Sequence, residues 1–199
     1  ALLAYHRSGE SGHWLRGREP AGDLTPARRR EADDLLEDVF RGSGEVGPVP
    51  RGDDGHLDWT ERGPNDDRQF ANRINRHGWA ATLMHAYLAT GEAKYLELLD
   101  RNLRDWLISA AGDPAPDGRG RGILEACNRM PVWAELFYVL QDEPGFSDAT
   151  RLLMLAAMPA HADYIQETLQ RRHNFATMQM SGLGTLGLAF PEFHDAEKW

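Results

Sequence analysis

The chain has 199 residues, of which 41% are hydrophobic and 27% charged, and this is the composition of a globular protein rather than a disordered one. Its formal net charge of -9 argues against a general nucleic-acid binder, although a local basic cleft could still bind an anion. One cysteine, Cys127, excludes an internal disulfide and a cysteine-rich metal site. No stretch is long and apolar enough to span a bilayer, so we expect no membrane partner.

Helical patterns follow one another along the chain, whereas alternating strand patterns are almost absent. Thr25 is placed to cap a helix whose first turn holds Pro26. Gly91 is placed to end one helix just before the next begins. Helices are predicted over residues 1–7, 25–40, 68–90, 92–109, 123–140, 147–169 and 173–190.

Two stretches rich in Gly, Pro and Asp, residues 41–67 and 110–122, are predicted to be loops. Short links between the other helices predict antiparallel pairs. The sequence therefore predicts an all-α fold of antiparallel helix hairpins, either a bundle or an incomplete α/α toroid, as one helical domain over residues 1–199. Because the chain does not begin with Met, we expect it to be a fragment of a larger protein.

Three stretches together resemble the heparinase II/III-type polysaccharide lyases. The first, residues 58–107, contains a Trp loop, an Asn-Arg helix and the junction AYLATGEAKY. The second, ILEACNRMPVWAELFYVL, has an Arg a few residues before a Trp. The third, residues 171–199, has an Asn at a helix start, a glycine-rich apolar helix and then FPE. The resemblance implies an α/α toroid that a β-rich domain follows elsewhere in the protein, and cleavage of uronic-acid polysaccharides such as heparan sulfate or alginate by β-elimination.

Asn174 matches the family's Asn at the start of the last helix, so the resemblance assigns it to the uronate carboxylate. A helix N-terminus also presents free N–H groups to an anion. From the residues alone, the simpler interpretation of Asn174 is a helix cap. His173 is a candidate base or carboxylate ligand, but Phe175 stands where several members have His. The resemblance places a catalytic Tyr and a further His after Trp199.

Other polar and aromatic residues are candidates for substrate binding. Arg129 is placed to bind a carboxylate or sulfate, or instead to pair with Glu125 one turn back. Helical spacing puts Asn75 and Arg76 on one face and His77 on another, and a merely solvated face is the alternative. Aromatic rings that could stack on sugars are Trp59, in a polar loop, and Trp133, for which core packing is the alternative.

No metal-site spacing is present, and GLGTLG lies inside a predicted helix with no preceding strand, so we expect no metal and no cofactor. The expected partner is an anionic polysaccharide or oligosaccharide, and the expected location is the periplasm or outside the cell, with the cytoplasm as an alternative. Two rival functions remain open. One is a glycoside hydrolase on an α/α scaffold, with Asp66, Asp67 or Glu125 as carboxylates. The other is a non-catalytic carbohydrate-binding domain.

Overall fold

The computed structural model describes residues 1–9, 23–109 and 122–199. Within these ranges the chain forms eight α-helices, one small β-hairpin and a terminal 3-10 turn. The helices are α1 (Leu2–Ser8), α2 (Pro26–Leu36), α3 (Arg68–Ile74), α4 (Gly78–Thr90), α5 (Ala93–Ser109), α6 (Ile123–Val139), α7 (Asp148–Glu167) and α8 (His173–Ala189). The predicted all-α class is confirmed. The predicted 110–122 loop lies almost wholly outside the described residues.

Local signals place several helix ends where the sequence predicts them. The Thr25 hydroxyl accepts a hydrogen bond from the Arg28 backbone N–H, and Pro26 follows in the first turn of α2. Gly91 ends α4 in the left-handed conformation, with φ 70°, which a residue without Cβ adopts at little cost. Ser147 caps α7 by accepting from the Thr150 backbone N–H.

The β-hairpin was not predicted from the sequence. Strands β1 (Val39–Gly42) and β2 (Glu45–Pro48) pair antiparallel, within and beside the segment expected to be a helix end and a loop. Helix α2 stops at Leu36, because Asp38 takes a positive φ of 53° that no α-helix continues. Phe40, which the sequence suggests as part of a helical face, is instead a fully buried strand residue.

The helix predicted over 68–90 is in fact two helices. It breaks after Ile74, and His77 has a left-handed backbone with φ 61° immediately before α4 begins. The predicted placement of Asn75 and Arg76 on one helical face and His77 on another is therefore wrong, since these residues lie in the break and not on a continuous helix. The break turns Asn75 and His77 into the protein and leaves Arg76 half-buried.

Five helices form two layers, and the helices of one layer run in the opposite direction to those of the other. Helices α4, α6 and α8 lie side by side in one layer, and α5 and α7 pack behind them in the other. The direction of α6 and α8 is the same, because Gly182 meets the Cys127 backbone and, further along both helices, the Tyr138 hydroxyl donates to the Ala189 carbonyl. Consecutive helices thus alternate between layers, which is the hairpin arrangement that the sequence predicts.

The hydrophobic core lies between the two layers and extends under the β-hairpin. Its largest fully buried side chains include Trp106 of α5, Trp133 of α6 and Phe40 of β1. Cys127 is buried, and this burial raises its thiol pKa to about 11, as expected for a small packing residue rather than a nucleophile. Within the described ranges, no helix has the length and apolar character needed to cross a membrane.

Candidate functional site

An open helix N-terminus is the most accessible polar feature among the predicted site residues. Helix α8 begins at His173, and its N-cap residue, Arg172, makes no side-chain capping hydrogen bond. Residues 171–174 are all exposed. Asn174 is the second helical residue and makes no hydrogen bond to any described residue, so the helix-cap interpretation is wrong. The backbone N–H groups of this turn and the Asn174 amide can therefore meet an anion from solvent.

A buried amide holds the turn that leads into α8. The Gln179 side-chain oxygen accepts from the Gln170 backbone N–H at 2.9 Å, and its amide nitrogen donates to the Thr168 carbonyl at 3.1 Å. Gln179 has no exposed surface. The end of α7, the connecting turn and the first half of α8 are thus joined through one side chain. This fixes the direction from which the N-terminus of α8 faces solvent.

Asn75 lies at the opposite extreme of exposure. It is fully buried, and its amide nitrogen donates to the carbonyls of Trp59 and Ala71 at 2.7 and 2.9 Å. Its oxygen accepts from the Trp106 indole N–H at 2.8 Å. An amide whose donors and acceptor all bind the protein interior has nothing to offer a sugar. Burial therefore argues against the predicted substrate contact, and we reassign Asn75 to the core.

Arg129 is also fully buried and belongs to the same polar cluster. Its guanidinium donates to the Asn75 carbonyl at 2.7 Å and to His161 Nε2 at 3.1 Å, and it lies 4.5 Å from the Trp106 ring centroid. The alternative pairing with Glu125 does not form, since Glu125 binds Arg76 instead. A sulfate or carboxylate on a polymer cannot reach this buried guanidinium. Its position indicates that Arg129 stabilises the break between α3 and α4 and does not bind substrate.

Two histidines complete the buried cluster in their neutral form. His77 Nδ1 accepts from the Trp133 indole N–H at 2.9 Å, and His161 Nδ1 lies 2.9 Å from the Ala157 carbonyl. Burial is the main cause that lowers the pKa of His77 well below its ordinary value and that of His161 to about 3, and the Arg129 charge acts in the same direction. Neither ring reaches solvent, so His77 is not placed to contact a substrate.

The two tryptophans proposed as sugar platforms pack in the core. Trp59 is 2% exposed, donates its indole N–H to Asp105 at 2.8 Å and stacks on Trp79 at a centroid distance of 5.6 Å. Trp133 is fully buried against Trp106 and His161. A ring that packs on both faces presents none to a sugar. The position of Trp133 supports its alternative interpretation, which is core packing. The position of Trp59 supports core packing as well.

Arg76 is the predicted binding residue that remains near the surface. Its guanidinium makes two hydrogen bonds to one Glu125 oxygen, at 2.8 and 3.1 Å, and its side chain is 16% exposed. This pair lies at the first turn of α6, the end of the layer at which α8 also begins. Arg76 lines a cleft of about 420 Å³ between α2, β1, α3, α4 and α6. Arg76 thus combines partial burial, fixed geometry and access to a cavity.

The carboxylates that a hydrolase would need do not converge. Glu125 is 5% exposed and bound by Arg76, Asp67 caps α3 through the Gln69 backbone N–H, and Asp66 is exposed beside Arg62. Each of the three has a separate structural partner. In the described part of the chain, no group of three or more His, Cys, Asp or Glu residues is placed to hold a metal ion.

Sequence reasoning missed three structural residues that shape this region: Gln179, His161 and Asp105. Gln179 and His161 each stand alone in an apolar run, and a polar residue on a buried face is the signal that could have identified them. Asp105 accepts from the Trp59 indole and the Leu57 backbone N–H, and it also contacts His56. Its role is to attach the 51–59 loop to α5.

Comparison with known proteins gives a consistent result. A family model described as "Heparinase II/III N-terminus" matches residues 1–199. A heparin-sulfate lyase of Bacteroides thetaiotaomicron is 24% identical over 148 residues, which are 73% of this chain and 21% of the relative. A heparin-sulfate lyase of Bacteroides stercoris is 23% identical over 190 residues, which are 86% of this chain and 28% of the relative.

Solved structures show the same fold. The crystal structure of a heparan sulfate lyase from Pedobacter heparinus superposes with a TM-score of 0.82 at 24% identity, and the match covers all of this chain and 32% of that one. A crystal structure of heparinase III gives a TM-score of 0.78 at 22% identity and covers 31% of that chain. The chain therefore spans less than a third of the length of these relatives, and the predicted toroid-type helical architecture is confirmed.

Proposed function

This chain belongs to the Heparinase II/III N-terminus family, and from that premise we propose that it is the helical part of a polysaccharide lyase that cleaves a uronic-acid-containing glycosaminoglycan by β-elimination. The named relatives are heparin-sulfate lyases, and their names motivate the substrate class. The net charge of -9 makes a general attraction to a polyanion unfavourable. The proposal therefore depends on a local site that favours anions.

The chemistry needs a donor at the substrate carboxylate. Elimination removes the proton at C5 of a uronate, and this proton is weakly acidic while the neighbouring carboxylate keeps its full charge. A donor aimed at that carboxylate stabilises the enolate-like charge that develops as the proton leaves. We assign this role to Asn174, with the free backbone N–H groups of the first turn of α8 adding to the favourable field.

The observation that supports this assignment most strongly is that Asn174 is exposed and uncommitted. It lies in the first turn of a helix that no described side chain caps, and its amide makes no hydrogen bond to any described residue. Its three neighbours Arg171, Arg172 and His173 can also donate hydrogen bonds and are exposed in the same turn. An exposed, uncapped and donor-rich N-terminus is an arrangement suited to an anionic ligand.

His173 is the second member of the proposed site. It is exposed beside Asn174 and has a positive φ of 69°, a conformation in which a non-glycine residue is uncommon. We propose that it assists as a carboxylate ligand or as a base. Phe175 occupies the position of the His that several family members carry, so the resemblance supports His173 less than Asn174. The resemblance assigns the remaining acid–base residues, a Tyr and another His, to a part of the protein outside these 199 residues.

The test is an absorbance assay on the intact natural protein with heparan sulfate, alginate and hyaluronan. A lyase leaves an unsaturated uronate that absorbs ultraviolet light. We expect product from a glycosaminoglycan and a fall in kcat of about 100- to 1,000-fold for Asn174→Ala, the usual effect of losing one donor at a developing charge. Thr177→Ala, an exposed change one turn further along α8, serves as the matched control.

The outcomes separate the rival functions. Chain shortening without new absorbance would indicate a hydrolase and overturn the proposal, and binding without turnover by the intact protein would indicate a carbohydrate-binding domain. Activity on alginate alone would change the substrate class and keep the reaction.

We also propose a periplasmic or extracellular location, because polymeric glycosaminoglycans are found outside the cytoplasm. Cell fractionation with an antibody against the chain checks this location.

A further inference from the structure

We propose that the cleft between α2, the β-hairpin, α3, α4 and α6 is a remote subsite for an acidic sugar, with Arg73 as the residue that binds its carboxylate or sulfate. The inference rests on the proposed function for the class of ligand. It adds a residue that the catalytic arrangement at α8 does not use. The cleft has a volume of about 420 Å³, within the range of about 300–1,000 Å³ typical of ligand pockets.

Three arginines line the cleft, and only one of them lacks a compensating charge among the described residues. Arg41 pairs with Asp34 at 2.5 Å and with Glu31 at 3.9 Å. Arg76 pairs with Glu125. Arg73 is exposed and has neither an ion pair nor a side-chain hydrogen bond within the described ranges. Its guanidinium is therefore the available cation of the cleft, with donors that fit a carboxylate or sulfate in bidentate fashion.

Arg73 also lies where two cavities meet. It lines the 420 Å³ cleft and, on its other side, a second cavity of about 460 Å³ along residues 41–46 of the β-hairpin. The floor of the first cavity includes apolar atoms of Leu35, Ile74, Trp79 and Val132. An apolar floor with a cation at its rim suits a sugar ring, which has an apolar face and carries its charge on a substituent. Two adjoining cavities suit a polymer that continues past the binding residue.

The cleft and the N-terminus of α8 lie at the same end of the helix layer. Arg76 joins the cleft to the first turn of α6 through Glu125, and α8 packs on α6 in the same direction. Packed helices are roughly 8–10 Å apart, so α4 and α8, on either side of α6, are separated by roughly 16–20 Å. A span of this size needs several sugars between Arg73 and Asn174, and a disaccharide is too short for it. The subsite should therefore favour longer substrates.

The test measures binding of heparin-derived di- and hexasaccharides to the 199-residue chain by isothermal titration. For Arg73→Ala we expect hexasaccharide affinity to fall about five- to tenfold, since a hydrogen bond to a charged group is lost, while disaccharide affinity changes less than about twofold. The matched control is Arg68→Ala, on the same helix and also exposed, which lines neither cavity. Thermal melting of both variants checks that the fold is kept.

Two results would overturn the subsite. One is hexasaccharide binding by Arg73→Ala that equals wild type. The other is an equal loss in Arg68→Ala, which would indicate a general charge effect instead of a defined contact. The absorbance assay on the intact protein tests the lyase proposal, whereas the binding measurement tests the subsite, so the two proposals can fail independently. Length-dependent binding through Arg73 without unsaturated product would retain the subsite and reject the elimination reaction.

Discussion

Two segments of similar composition differ in burial: one is largely buried in the core and the other is exposed to solvent. Residues 72–77 read NRINRH and residues 171–174 read RRHN, so each combines Asn, Arg and His beside a helix start. In the first segment Asn75 and His77 are fully buried: the Asn75 amide binds the Trp106 indole and two backbone carbonyls, and His77 Nδ1 accepts from the Trp133 indole N–H. In the second segment all four side chains are exposed, and no described side chain caps the helix.

The difference shows that residue type at a helix start does not identify a binding site. What matters is whether the surrounding helices supply partners. Before α4, the second layer places Trp106 against Asn75, and α6 places Trp133 against His77. Before α8, Gln179 of the same helix binds the backbone of the connecting turn at Gln170 and Thr168. The polar side chains of residues 171–174 stay exposed to solvent. The first cluster therefore stabilises the fold, and the second is available to a ligand.

Substituting the two asparagines gives the sharpest contrast. Asn75→Ala removes the core partner of the Trp106 indole N–H and of the Trp59 carbonyl, so we expect the free energy of unfolding to fall by about 3 kcal/mol. Asn174→Ala removes an exposed side chain and should change it by no more than about 0.5 kcal/mol. Urea denaturation measures both. Similar losses in the two variants would contradict the proposed division into a structural and an open cluster.

Lowering the pH tests the buried cluster without mutation. The pKa of His161 is about 3 in the folded protein and about 6.5 when unfolded. The unfolded state binds the proton first, so this contribution to stability is complete above pH 6.5 and declines as the pH falls towards 3. Between pH 7 and 5 the expected loss is about 2 kcal/mol from His161, at 1.36 kcal/mol per pH unit below 6.5.

The measurement for this prediction is urea denaturation at pH 7 and pH 5 for wild type and His161→Gln. Glutamine can accept from Arg129 and donate to the Ala157 carbonyl but does not titrate. The variant should therefore lose about 2 kcal/mol less stability than wild type on acidification. The lowered pKa of His77 acts in the same direction and remains in both proteins. An identical pH dependence in the two proteins would show that His161 is not buried as described.

A smaller effect on stability is expected from Gln179, which joins α8 to the turn that precedes it. Gln179→Ala removes the side-chain partner of the Gln170 backbone N–H, and we expect a loss of about 1–2 kcal/mol in the free energy of unfolding. Hydrogen exchange at the Gln170 amide should become faster at the same time. Thr177→Ala, exposed on the same helix, should leave both measurements unchanged. Unchanged exchange at Gln170 in Gln179→Ala would contradict the proposed support of this turn.

The smallest effect concerns His56 in the loop before Trp59. Its hydrogen bond to Asp105 and the charge of that carboxylate raise its pKa above the ordinary value. The proton is bound more tightly in the folded state, so this stabilisation is complete below about pH 6.5 and is lost as the pH rises through the folded pKa. His56→Gln should therefore lower Tm more at about pH 6 than at about pH 9. A Tm difference that grows towards alkaline pH would contradict it.

Local signals in the sequence determined most of the helices and several of their ends. Thr25, Pro26 and Gly91 act through the backbone within a few residues, so their effect can be predicted without knowledge of the rest of the fold. The start of α8 was also predicted from the sequence, because four consecutive polar residues, 171–174, lie where an apolar helix begins. The role of Asn174 in catalysis stays a prediction.

Tertiary structure alone decided which of the other polar and aromatic candidates are buried. Asn75 meets a partner 31 residues away in Trp106, and Arg129 meets one 32 residues away in His161. Such contacts depend on how two helix layers pack, and no local pattern in the residues encodes them. The break at His77 likewise appears only when Asn75 and His77 find distant partners, because the packing energy they gain exceeds the helix propensity they give up.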